Sequence, residues 1–97
     1  MNFRVKIEPG LLPALMIPRI VAMRLVAAIL NDIPDRFRRP GYANNAEVKG
    51  QPGRYRSTIA ISEGGKNYAF RLILIDRGND LLACVSIQLF GVWDAKG

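Results

Sequence analysis

The residues able to carry chemistry are few, and their types point to contact rather than catalysis. The chain has no histidine, so the commonest general acid and base is missing. Its eight carboxylates are scattered, and Asp32 with Asp35 is the only close pair. Those two flank Ile33-Pro34 at an expected helix end, where solvated carboxylates are the ordinary occupants. Cys84 sits between Ala83 and Val85 in an apolar run, the setting of a small buried hydrophobe rather than a nucleophile. A lone Cys without His leaves no internal disulfide and no Cys/His metal cluster. Neither an enzyme activity nor a cofactor or metal is expected.

Two glycine-rich basic segments, Gly50-Gln51-Pro52-Gly53-Arg54 and Gly64-Gly65-Lys66, could suggest a phosphate cradle. Such a cradle needs a helix N-terminus behind it. Neither segment leads into a helix pattern, and turns account for both. A stronger signal is the alternation of basic and aromatic residues in Arg36-Phe37-Arg38-Arg39 and Arg54-Tyr55-Arg56. That pattern suits a surface tracking phosphates or stacking on bases. It equally suits a solvated basic loop meeting an acidic partner. No helix-turn-helix, zinc-finger or aromatic-platform motif accompanies it, so sequence-specific readout is not expected.

These side chains are carried by 97 residues, one small domain, of which 49% are hydrophobic and 23% charged. That is a globular composition with room for a single core. The formal net charge is +6. Between Arg36 and Arg56 lie Arg36, Arg38, Arg39, Lys49, Arg54 and Arg56 against Glu47 alone, so nearly all of the excess sits there. These six are the candidate contacts to nucleic acid or an acidic partner.

Phe3 to Glu8 alternates apolar and charged residues, the pattern of a half-buried strand ended by Pro9-Gly10. Leu11 to Ile17 is apolar but interrupted by Pro13, which implies a turn or a short helical piece. The run from Gly10 to Leu30 contains Arg19 and Arg24, each costing about 2.5–3.5 kcal/mol at a bilayer centre. Arg19 also cuts short any signal-peptide core. No membrane contact is expected, and the location that follows is cytoplasmic.

A helix is expected over 18–32. Pro18 suits its first turn, and Ile33, preceding Pro34, is biased away from helical angles. On a helical wheel Ile20, Met23, Ala27 and Leu30 share one stripe, which Ile17, Val21, Leu25 and Ala28 widen. Arg19 and Arg24 stand about 140° apart and define no clean solvent face. A helix this apolar is normally covered on more than one side, and one sheet covers only one. Either its small residues tolerate exposure, or a neighbouring subunit packs on Ile20, Met23, Ala27 and Leu30, with Arg24 beside them.

Residues 35–53 are rich in turn formers and read as a long basic loop. The period then switches to two. Strands are expected over 54–62, 67–75 and 81–90, joined by turns at Glu63-Gly64-Gly65-Lys66 and Asp76-Arg77-Gly78-Asn79-Asp80 and closed by Gly91. The result is an α+β domain, with one main helix on a small antiparallel meander and a further strand at 3–8. The second and third meander strands are apolar at almost every position and should lie centrally.

Pro52-Gly53-Arg54-Tyr55-Arg56-Ser57-Thr58-Ile59 resembles the Thr-Gly-x-Leu-Arg-x-Ser-Ile-like segment that opens the sheet in small neck and tail-completion proteins of tailed bacteriophages, with Pro52 in place of Thr and Tyr55 in place of Leu. The family's order of helix, loop and strand is similar to the order expected here. The resemblance implies a structural subunit of the head–tail junction, a virion component assembled in the host cytoplasm. It implies a homo-oligomeric ring around the DNA channel, other virion proteins as partners, and contact with DNA or an acidic neighbour through the basic loop. The alternative is a small cytoplasmic module that binds nucleic acid non-specifically through residues 36–56.

Overall fold

A computed structural model describes residues 3–95. The elements in chain order are β1 (Arg4–Ile7), α1 (Arg19–Phe37), α2 (Tyr42–Ala46), β2 (Arg54–Glu63), β3 (Lys66–Asp76) and β4 (Leu81–Asp94). One main helix packs on a four-stranded sheet of order β1-β4-β3-β2, an α+β arrangement. The two strongly apolar strands, β3 and β4, are central. The sheet is mixed rather than antiparallel throughout, because β1 pairs parallel to β4. The cause is topological: α1 returns the chain to the end of the sheet where β1 began, so β2 runs parallel to β1. The two hairpins then make β4 parallel to β2, and β1 has no antiparallel way to pair with it.

Gly64 and Gly65 form the two-residue loop of the first hairpin, between the paired Glu63 and Lys66. Both have positive φ, 60° and 76°, which the right-handed twist of the strands requires of so tight a turn. In the second hairpin the Asp76 carboxylate accepts from the Gly78 amide at 2.8 Å, while Asn79 and Asp80 adopt left-handed angles. Strand β4 does not stop at Gly91 but continues to Asp94. Val85 and Phe90 are extra residues opposite continuous pairing on β3, and these bulges let the strand bend and remain paired.

Helix α1 also outruns its expected end, passing through Pro34 to Phe37. Pro34 removes one helical hydrogen bond, at a cost of about 3 kcal/mol. Ile33 and Phe37, both past the expected end at 32, extend the buried ridge Val21-Leu25-Ile29, and each such side chain recovers about 1.5–3 kcal/mol. Burial outweighs the proline. The ridge rests on Ile59, Ile61, Phe70, Leu72, Leu74, Leu82 and Cys84.

The segment 35–53 is correspondingly not a long loop. Its first three residues are helical, 42–46 form α2, and Glu47 bridges to Tyr55. Phe37 organises the region, with ring centroids 5.5 Å from Phe3, 5.2 Å from Tyr42 and 5.1 Å from Tyr55.

Candidate functional site

The end of α1, helix α2 and the outer edge of β2 enclose an open cleft of about 860 Å³. Arg36, Arg39, Lys49 and Arg56 line it together with Tyr42, Glu47, Ser57 and Thr58. Arg36 is committed to the frame. Its Nη1 donates to Ser57 Oγ and to the Thr58 carbonyl, 2.6 Å from each. Ser57 Oγ also lies 2.9 Å from the Tyr42 hydroxyl, so this buried hydroxyl is fully engaged. Glu47 accepts from the Gly53 amide at 3.1 Å and fastens the turn before β2. Burial pushes the Tyr55 phenol above its ordinary pKa, and the charges of Glu47 and Asp76 push in the same direction.

Four of the six expected basic contacts thus converge on one cleft. The other two do not line it. Arg38 pairs with Asp35 on the last turn of α1, and Arg54 alternates onto the sheet face away from α1. The cleft can hold an anionic group between Arg39, Lys49 and Arg56, with Glu47 the one acid on its lining.

The outer side of α1 carries the other expected contact. Ile20, Met23 and Leu30 are 46%, 59% and 45% exposed, and Ala27 and Arg24 are exposed beside them. Arg24 reaches down to the Ser62 carbonyl and to Glu63, at 3.3 Å from the latter. The residues expected only to widen the stripe, Val21 and Leu25, are the ones that face the sheet.

Sequence reasoning missed a third surface, the sheet face opposite α1. Arg4 and Lys6 of β1, Arg54 and Arg56 of β2 and Arg71 of β3 alternate onto it. Phe90 and Trp93 join them from β4. The alternation was visible strand by strand, but only the register gathers these residues on one face.

Elsewhere, Asp32 and Asp35 are solvent-exposed, and Cys84 is fully buried with its thiol pushed up to about 11. No helix among the described residues is long and apolar enough to cross a membrane. No family model, curated protein or solved structure matches the chain.

Proposed function

We propose that the chain is a non-enzymatic assembly subunit that packs against a neighbouring copy through the outer stripe of α1. The observation behind this reading is the row Ile20, Met23, Ala27 and Leu30, apolar and exposed along one side of a helix whose other side is already buried. Exposed apolar side chains grouped in this way mark contact surfaces. With the resemblance of residues 52–59 to phage neck and tail-completion proteins, the specific form of the proposal is a ring subunit of a head–tail junction. Its basic cleft would then meet DNA or an acidic neighbour. Light scattering on the purified chain, free of nucleic acid, tests it at low and high salt. A discrete oligomer that persists at high salt and falls to monomer in Met23→Lys supports the reading. A monomer at both salts counts against it.

A second reading is carried by the cleft itself: a small module holding nucleic acid non-specifically through Arg39, Lys49 and Arg56. Affinity for duplex should then fall steeply with salt, and alanine at those three positions should remove it. Arg36 is unsuited to that test because it holds Ser57 and Thr58.

A further inference from the structure

The sheet face opposite α1 combines features that serve neither the core nor the cleft. Arg4, Lys6, Arg54, Arg56 and Arg71 alternate onto it, and no described strand residue on that face is acidic. The strand carboxylates Glu63, Asp76 and Asp94 alternate to the α1 side. Glu8, one residue past β1, is paired with Arg77 at 3.9 Å. The face therefore has a single sign of charge.

It also has two aromatic surfaces. Phe90 and Trp93 are 47% and 50% exposed. Phe90 is the bulged residue between Leu89 and Gly91, and the Arg71 guanidinium sits 5.0 Å from its ring centroid. Trp93 lies down over Gly91: a Cβ at that glycine would meet the indole at 3.2 Å. The two rings stand toward the first-hairpin end of this face, Arg4, Lys6, Arg54 and Arg56 toward the other end, and Arg71, opposite Gln88, lies between them.

We infer that this face binds single-stranded nucleic acid, with Phe90 and Trp93 stacking on bases and Arg54, Arg56 and Arg71 tracking the phosphates. Charge complementarity selects a polyanion, and the exposed rings select unpaired bases, because a duplex hides the base faces that stack on aromatic side chains. The site goes beyond the assembly reading and shares only Arg56 with the cleft.

The test is fluorescence anisotropy of a labelled oligothymidylate of about twelve nucleotides, titrated with the full chain at low salt. Trp93, the single tryptophan, is the internal reporter. Saturable binding should quench Trp93, and the oligothymidylate should bind more tightly than a duplex of equal length. Phe90→Ala should weaken binding about 5- to 150-fold. Phe90→Leu keeps apolar bulk for the fold and should still weaken it. Arg71→Ala should lower the salt slope by about 0.7, while Arg39→Ala with Lys49→Ala, at positions that line the cleft and not this face, should cost less affinity than Phe90→Ala. Absence of binding at low salt overturns the inference. So does binding that survives Phe90→Leu and Arg71→Ala, binding lost with the cleft variants alone, equal preference for duplex, or binding of anionic phosphatidylserine vesicles without the oligonucleotide.

Discussion

Arg36 and Ser57 join the end of α1 to the outer edge of the sheet, with the guanidinium Nη1 2.6 Å from the hydroxyl and the same distance from the Thr58 carbonyl. Arg24 does the same one strand-end away, reaching the Ser62 carbonyl. Two helix arginines therefore occupy carbonyls along the edge of β2, which no further strand covers among the described residues. Capping an edge in this way blunts its tendency to pair with other chains. Arg36→Ala should cost about 1–3 kcal/mol, since it removes two charge-assisted bonds and leaves Ser57 only Tyr42. Urea unfolding checks this, and Arg36→Lys should recover part of the loss. Wild-type stability in Arg36→Ala would mean that the clasp does not hold the edge.

The two sides of α1 should respond oppositely to mutation. Ile29 is fully buried in the ridge against the sheet, and Ile29→Ala should cost about 2–5 kcal/mol. Met23, on the outer side, should tolerate Met23→Lys within about 0.5 kcal/mol when unfolding is measured on the monomer at low concentration. Self-association should show the reverse sensitivity. A large loss of monomer stability in Met23→Lys would assign that side chain to the core.

Pro34 makes a sharper case, because local and tertiary preferences disagree there. The Leu30 carbonyl has no amide to accept from at position 34, and Leu30 is exposed enough for water to serve it. Pro34→Ala should therefore stabilise the chain by about 2–2.6 kcal/mol, the helix penalty less the entropy that proline removes from the unfolded state. The same measurement probes whether α1 is continuous. A loss of stability would show that the ring of Pro34 packs or turns the chain in a way that alanine cannot replace.

Much of the fold follows from local patterns that tertiary structure had no reason to override. The alternation from Arg54 onward, the Gly64-Gly65 turn and the apolar character of β3 and β4 lead directly to the hairpins and the strand order within them. Three features depend on distant residues. The helix continues past Pro34 because Phe37 finds Phe3, Tyr42 and Tyr55, which lie on three separate segments. Gly91 looks like a strand end until the bulge at Phe90 and the overlying Trp93 give it a place in the ladder. The parallel pairing of β1 follows from counting chain reversals, which no local window contains. The basic residues divide in the same way. Clustering along the chain brings Arg36, Arg39, Lys49 and Arg56 to one cleft, whereas the gathering of Arg4, Lys6 and Arg71 on a face depends on register alone.

Cys84 gives the fold a dependence on alkaline pH that can be separated from everything else that titrates. It is fully buried between β1 and β3, paired with Ile7 on one side and Leu74 on the other. Burial pushes its thiol from the ordinary 9.0 to about 11. The folded thiol thus stays protonated across a range where the unfolded one ionises, so the unfolded state gains as pH rises. The contribution is complete below about pH 9, declines between 9 and about 11, and then levels off. Over that window it amounts to about 2–3 kcal/mol. Cys84→Ala should be less stable at neutral pH because it leaves a small cavity. Its deficit should shrink or reverse as pH approaches 11, since alanine has nothing to ionise in either state. Urea unfolding of both proteins under reducing conditions, compared at each pH, isolates this term from the lysines and tyrosines they share. A deficit that stays constant across the range would show that the buried thiol ionises as readily as the free one.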